Sequence, residues 1–278
     1  MLIITIFYCN KFKFEIVKEK GVICLGVVNK IESTLSREVT CGVFINAGRE
    51  ISVASTKAFS GQFVCLVLIC LFFCQIKYES KIIKYNLLIT IASFYNYLYT
   101  YSIKFIKSIP NTLEENLDYF SEKSKYIAEK IYNHNSLFVL GRGFAESIAK
   151  EISLKIKEVT YIHAEGYNAL SFKHGPLAMI DSDLRTPVII IADKNDHFED
   201  IKNVLEIVKN KNATIILLTN AKELLCIDNI DFIVNIPDNG FFSSFYSIII
   251  GQLLSYYICI NKGYNPDKPR HLSKEVTV

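Results

Sequence analysis

Short apolar runs and longer amphipathic segments alternate along the second half of the chain. Runs rich in valine, isoleucine and leucine predict strands at 137–140, 188–192, 214–219 and 232–236. The segments between them predict helices at 145–158, 198–209 and from about 241 onward. Parallel strands buried on both faces read as continuous apolar runs and need helical crossovers. The pattern therefore predicts a doubly wound α/β fold, with a parallel sheet between two helical layers.

The first half of the chain shows the same alternation with fewer predicted strands and helices. It predicts strands at 22–28 and 43–46 and a helix at 55–75, and a further helix is predicted to begin at Asn111, directly after Pro110. We place a domain boundary near residue 108. Two strands do not make a complete sheet, so we expect residues 1–108 to be a partial domain, with strand 22–28 left at an exposed edge.

Composition and charge narrow the function classes. Half of the 278 residues are apolar and the net charge is +3. The basic residues are spread along the chain, so the sequence predicts no basic patch that would bind nucleic acid. We expect no metal site, because the cysteines lack ligand spacing, and we expect them to be reduced and buried in a cytoplasmic protein. They are Cys9, Cys24, Cys41, Cys65, Cys70, Cys74, Cys226 and Cys259. Two apolar stretches, 63–73 and 241–260, are predicted to be core helices, with membrane spans as the alternative.

Three local patterns offer candidate chemistry. Gly141-Arg142-Gly143 joins a strand to a helix, where it either binds an anion or forms a tight turn. Glu151, Lys155 and Glu158 share one helix face, either as an exposed ion-pair ladder or as an acid-base group. Two histidines follow: His174 lies on a loop and could act near neutral pH, whereas His163, in an alternating run, is expected to be packed.

Taken together, three motifs resemble the sugar-isomerase half of the glutamine:fructose-6-phosphate aminotransferases. They are the block at 137–181, the sequence STKAF at 55–59 and the tail KPRHLSKEVTV at 268–278. The resemblance implies sugar-isomerase (SIS) domains: an incomplete first one at 1–108, a second at 109–264, and a tail at 265–278 that closes the sugar site. It also implies a homodimer that binds a sugar phosphate, with no cofactor and no membrane association.

The resemblance further implies a role for each site residue. Glu158 is expected to transfer the proton, Lys155 to assist it, His174 to open the sugar ring from the neighbouring subunit, and Lys274 to form a Schiff base with the ketose. Val53, Ser55 and Ser273 are expected to contact the sugar. The expected reaction turns fructose 6-phosphate and ammonia into glucosamine 6-phosphate.

The chain also departs from the family pattern. Residue 2 is Leu rather than the cysteine nucleophile of a glutaminase, so we expect the glutaminase domain to be missing from this chain. The Gly-Thr-Ser turn and the Ser-Gln-Ser-Gly-Glu-Thr loop that bind the sugar phosphate are not found in the sequence either. Losing these phosphate contacts is expected to weaken sugar binding. The alternative is therefore a non-catalytic sugar-phosphate-binding or dimerisation module, or an inactive fragment.

Overall fold

The computed structural model describes residues 3–5, 17, 19–85, 89–194 and 197–274. It divides into two compact units, Met1–Lys107 and Ser108–Val278. The first part of the chain contains β1 (Ile3–Thr5), β2 (Cys24–Val28), α1 (Thr34–Glu38), β3 (Cys41–Phe44) and α2 (Lys57–Tyr85). A long helix, α3 (Ile89–Ile131), follows. Beyond it come β4 (Ser136–Gly141), α4 (Phe144–Thr160), β5 (His163–Asn168), β6 (Pro187–Ile191), α5 (Phe198–Lys209), β7 (Thr214–Thr219), β8 (Phe232–Asn235) and α6 (Phe245–Asn261).

The first unit contains a three-stranded parallel sheet in the order β1-β2-β3. Strand β2 is buried along its whole length and pairs on both sides, so the expectation that it lies at an exposed edge was wrong. The error arose because β1 has three residues, too few for a recognisable apolar pattern. The edge strands of this sheet are β1 and β3, and all four residues of β3 are exposed.

Helix α2 is longer and less buried than the sequence suggested. It runs for 29 residues, and its segment Lys57–Ile76 is long and apolar enough to cross a membrane, by length and composition. Only 11% of the apolar window in that segment is buried, so the expectation of a core helix was wrong for this stretch. The inner face of α2 does pack on β2, where Ile69 joins Leu25 and Val27 in a small core.

Helix α3 begins at Ile89, and Pro110 lies inside it rather than at its start. The proline predicted a helix boundary, because proline removes a backbone hydrogen bond within a helix. A helix of 43 residues keeps most of its hydrogen bonds on either side of one such defect. The predicted start at Asn111 was therefore wrong.

The second unit is built on a five-stranded parallel sheet in the order β5-β4-β6-β7-β8. On one face, α5 packs through Val204 and Leu205 against alternate residues of β4, β6 and β7. On the other face, Ile189 and Ile216 approach residues of α3, α4 and α6. The predicted doubly wound α/β fold with three layers is confirmed. Strand β5 was missed because its sequence, HAEGYN, is polar and contains glycine.

Helix α6 is a buried helix of the second unit, as predicted, although it begins at Phe245 after a short 3₁₀ turn. Gly251 lets it approach α4, because a Cβ atom there would lie 2.5 Å from Ile152 Cγ1. The seven described cysteines are free, as expected, but only Cys24 and Cys259 among them are buried. Cys9 lies outside the described residues.

Candidate functional site

A buried ion-pair cluster lies near the carboxyl end of α4. The ammonium Nζ of Lys155 lies 2.6 Å from Oε2 of Glu158 and 3.6 Å from Oε1 of Glu151. The Lys155 side chain is 7% exposed, and the two carboxylates are 13% and 22% exposed. The exposed ion-pair ladder is therefore excluded, and the cluster is a largely desolvated group of two carboxylates around one ammonium.

The electrostatics of this cluster are unbalanced. Burial raises the pKa of Glu151, the positive charge of Lys155 opposes that rise, and the negative charge of Glu158 adds to it. Glu158 Oε2 is buried and accepts no aligned hydrogen bond, although it lies within ion-pair distance of Lys155. A carboxylate held beside an ammonium, with unused hydrogen-bonding capacity, can take up and release a proton.

The C-terminal tail is fastened beside this cluster. Tyr161, which follows α4 in a left-handed conformation, packs its ring 4.9 Å from that of Tyr264. The backbone N–H of Arg270 donates to the Tyr161 hydroxyl at 2.8 Å, and the Arg270 guanidinium stacks 4.0 Å from the same ring. Lys274 is four residues beyond Arg270, so its Cα lies within about 14 Å of this anchor.

His174 lies at the other end of the strands from Glu158. It ends a short 3₁₀ helix that follows the carboxyl end of β5, and its side chain is exposed. Glu158 lies near the carboxyl end of α4. This helix runs antiparallel to β4 and β5, so its carboxyl end lies beside the amino-terminal ends of these strands. One copy of the chain therefore brings Lys155 and Glu158 together, but it does not bring His174 to them.

The glycine turn Gly141-Arg142-Gly143 is also far from Glu158, because it lies at the other end of α4, roughly 22 Å away at 1.5 Å per residue. Gly143 has a φ of 62°, and a Cβ atom there would lie 2.8 Å from the ring of His197. Arg142 pairs with Asp200 at 3.1 Å. This supports the tight-turn alternative rather than the anion site.

Strand β5 carries a row of polar side chains that was not predicted from the sequence. His163 Nε2 lies 3.3 Å from Glu165, and the Tyr167 hydroxyl donates to the other oxygen of Glu165 at 2.7 Å. The expectation that His163 is packed was wrong, since its side chain is 57% exposed. The alternation of His163, Glu165 and Tyr167 was the available signal, because alternate residues of a strand share one face.

In the first unit, Ser55 and Val53 lie in the segment that precedes α2. The Ser55 hydroxyl donates to the carboxylate of Glu50, which also accepts from the backbone N–H groups of Thr56 at 3.0 Å and Ala58 at 2.9 Å. Glu50 therefore caps the start of α2 and fixes the Ser55 loop. Glu50 was not predicted from the sequence, because it lies several residues before Lys57 and capping signals are recognised at the residue directly before a helix.

The comparisons with known proteins agree with this fold. The SIS domain family model matches residues 130–260. The chain is 33% identical over 262 residues to glutamine–fructose-6-phosphate aminotransferase [isomerizing] 1 from Rattus norvegicus, and 36% identical over 262 residues to enzyme 2 from Homo sapiens. Each alignment covers 94% of this chain and 36% of the relative, so the chain spans little more than a third of these relatives.

A solved structure gives the same assignment. The C-terminal domain of glucosamine-fructose-6-phosphate aminotransferase from Francisella tularensis superposes with a TM-score of 0.80 at 28% identity. The match covers 96% of this chain and 72% of that domain. Among the described residues, no group of His, Cys, Asp or Glu is arranged to hold a metal ion. Residues 130–260 therefore match the SIS domain family, and the chain is similar to glutamine–fructose-6-phosphate aminotransferases over about a third of their length.

Proposed function

We propose that this chain catalyses the isomerase half-reaction of amino-sugar synthesis, in which fructose 6-phosphate and ammonia give glucosamine 6-phosphate and water. The observation that carries the proposal is the buried Lys155–Glu158 pair beside a tail fastened at Tyr161. The names of the rat and human relatives, both isomerising aminotransferases, support it. We assign residues 1–108 to a partial first SIS subdomain, 109–264 to the second, and 265–278 to the closing tail, in a cytoplasmic enzyme.

The proposed chemistry begins at Lys274. Its amine adds to the C2 carbonyl of the open-chain ketose, water leaves, and a Schiff base forms. Ammonia then replaces the lysine at C2 and frees its amine. Glu158 removes a proton from C1 and returns it to C2, while the proton of the C1 hydroxyl passes to the imine nitrogen, which leaves an aldehyde at C1 and an amino group at C2. In this scheme Lys155, 2.6 Å from Glu158 Oε2, orients the carboxylate that takes the proton.

The remaining site residues have supporting roles in the proposal. Ser273, which directly precedes Lys274, contacts the sugar, as do Val53 and Ser55. His174 opens the sugar ring in the site of a partner copy, because within one chain His174 and Glu158 lie at opposite ends of the strands. The active species is therefore a homodimer.

The proposal is tested with Glu158→Gln, which keeps the shape of the side chain and removes its basicity. Glucosamine 6-phosphate formation is measured with fructose 6-phosphate and ammonium salt, at high sugar concentration because weak binding is expected. Losing a general base is expected to lower kcat by about 10² to 10⁴-fold, with fructose 6-phosphate binding retained. Glu146→Gln, on the same helix in a more exposed ion pair, is the control and is expected to remain active.

A second candidate is a non-catalytic sugar-phosphate-binding or dimerisation module. It is favoured by the segment 2–19, LIITIFYCNKFKFEIVKE, which contains neither the Gly-Thr-Ser turn nor the Ser-Gln-Ser-Gly-Glu-Thr loop. In that case the unmodified chain would bind fructose 6-phosphate without turnover, and Glu158→Gln would change neither property. Full turnover by Glu158→Gln would instead refute the assignment of Glu158 as the base.

A further inference from the structure

A single aromatic residue, Tyr161, joins the helix that carries Glu158 to the tail that carries Lys274. Tyr161 directly follows α4, and Glu158 lies three residues before it, so their Cα atoms are roughly 5 Å apart. The Tyr161 hydroxyl accepts a hydrogen bond at 2.8 Å from the backbone N–H of Arg270, four residues before Lys274. The base and the amine of the proposed reaction are therefore tied to one side chain, each through a short stretch of backbone.

The backbone of Tyr161 takes a conformation that a bulky residue rarely adopts. Its φ and ψ are 60° and 18°, in the left-handed region, where glycine is the usual residue after a helix. Glycine would avoid the steric cost of a Cβ atom at this position, so the presence of tyrosine indicates a role for its side chain. Among the residues that the structure describes, the hydroxyl and ring of Tyr161 contact Tyr264 and Arg270, both beyond α6.

The backbone on either side of Tyr161 is buried and fixed. The Thr160 side chain is fully buried, and its hydroxyl donates to the carbonyl of Ile156 at 2.7 Å. The same hydroxyl accepts from the backbone N–H of Ile162 at 3.2 Å. Ile162 is 1% exposed and leads directly into β5. Tyr161 therefore stands on a rigid part of the second unit, from which its side chain can fix a segment that is itself exposed.

The tail is held at Arg270 and is exposed beyond it. Pro269 is buried, whereas residues 270–274 are all exposed. The Arg270 guanidinium lies 4.0 Å from the centre of the Tyr161 ring, in addition to the hydrogen bond from its backbone N–H. His271, with a φ of 62°, turns the chain directly after this contact. Arg270 is thus the anchored residue from which the segment carrying Lys274 extends.

We propose that Tyr161 and Arg270 are positioning residues for the Schiff-base lysine, Lys274. This inference rests on the proposed function, in which the lysine amine attacks C2 of the sugar and Glu158 moves a proton from C1 to C2. The two groups have to meet adjacent carbon atoms of one substrate. Anchoring the tail at the end of α4 restricts the lysine to a small range of positions near the base, and such fixed geometry raises the rate of a reaction between the held groups.

The test is Tyr161→Phe, which removes the hydroxyl that accepts the Arg270 N–H and keeps the ring. The matched control is Tyr264→Phe, the same change on the ring that packs against Tyr161. Each full chain is incubated with fructose 6-phosphate and sodium cyanoborohydride, and the adduct at Lys274 is followed by peptide mass spectrometry. The amine adds to the C2 carbonyl with loss of water, hydride from the reagent then adds to C2, and a stable secondary amine remains.

Tyr161→Phe is expected to slow trapping at Lys274 and to lower kcat, each by about tenfold or more, because a misplacement of about 1 Å can cost about 10²-fold in rate. The KM for fructose 6-phosphate and the urea midpoint are expected to stay unchanged, since the lost bond is an exposed one to the tail. Tyr264→Phe is expected to match the native chain in all of these measurements. Arg270→Met, which keeps the backbone N–H and removes the guanidinium, is expected to give a smaller loss than Tyr161→Phe.

Equal trapping and equal kcat in Tyr161→Phe and the native chain would overturn the proposal while leaving the proposed function intact. A loss of the same size in Tyr264→Phe, or a parallel fall in the urea midpoint, would also overturn it, because packing would then explain the effect. A native chain that forms no adduct at Lys274 would refute the proposed function, and the positioning role with it. Amide hydrogen exchange tests the anchor without turnover: the peptide containing Arg270 is expected to lose the protection of one amide in Tyr161→Phe, and unchanged protection would contradict the contact.

Discussion

Replacing Lys155 by methionine would expose the energetic role of the buried cluster. Lys155 lies within ion-pair distance of Glu151 and Glu158, and all three side chains are at most 22% exposed. Methionine keeps most of the length of the lysine stem but removes the charge. Because two buried carboxylates then lose their shared cation, we expect a loss of about 3–5 kcal/mol in the free energy of unfolding at neutral pH.

The loss should depend on pH in a defined direction. In the native chain the charge of Lys155 lowers the pKa of Glu151, against the effects of burial and of Glu158. Without Lys155 that pKa rises further, so the folded variant binds protons more tightly than the unfolded chain. The destabilisation is therefore greatest above the raised pKa, and it shrinks as the pH falls toward the ordinary carboxyl value of 4.5.

Urea unfolding at pH 5 and pH 8 measures this effect. The control is Lys150→Met on the same helix, where the lysine is 61% exposed and its ion pair with Glu146 is expected to contribute about 0.2–1 kcal/mol at either pH. Adding Glu151→Gln and Glu158→Gln to the Lys155→Met variant should recover much of the lost stability. Equal destabilisation at both pH values would refute the electrostatic explanation and assign the loss to packing of the lysine stem.

Three further predictions follow from single positions. Gly251→Ala should lower the free energy of unfolding by about 1–2 kcal/mol in urea melts, because overpacking against Ile152 outweighs the gain in helix propensity. A variant more stable than the native chain would contradict the close approach of α6 to α4. Burial raises the pKa of Cys259 to about 11, so maleimide at pH 8 should modify Cys226 long before Cys259, and equal rates would contradict that burial. Glu151→Gln should raise the melting temperature at pH 8 but not near pH 4, since burial disfavours the ionised form, and an equal shift at both pH values would contradict this explanation.

Much of the second unit could be predicted from the sequence. Strands β4, β6 and β7 are buried runs of β-branched and aliphatic residues, and β8 keeps a short apolar run although it lies at a sheet edge, so each was located to within about one residue. Strand β5 lies at the sheet edge and alternates polar residues with small ones, which removes the apolar signal. An apolar run is thus recognised in a single sequence even at a sheet edge, as in β8, whereas a polar edge strand such as β5 is identified by the strand it pairs with.

The candidate site was also predicted only in part. The spacing of Glu151, Lys155 and Glu158 predicted a shared helix face, which the structure confirms. Their burial could not be predicted, because it depends on neighbours distant in sequence. Pro110 and α2 show the same limit: a local rule predicted a helix boundary and a core helix, but contacts across the fold decide whether a defect is tolerated and whether an apolar face is covered.

The separation of Glu158 from His174 has a genetic consequence under the proposed function. In one copy these residues lie at opposite ends of the strands. Each copy would therefore supply the base of one site and the ring-opening histidine of another. An allele lacking the carboxylate and an allele lacking the imidazole would each be inactive alone. Expressed together, they would form mixed dimers in which one site keeps both groups, and activity would return by intragenic complementation.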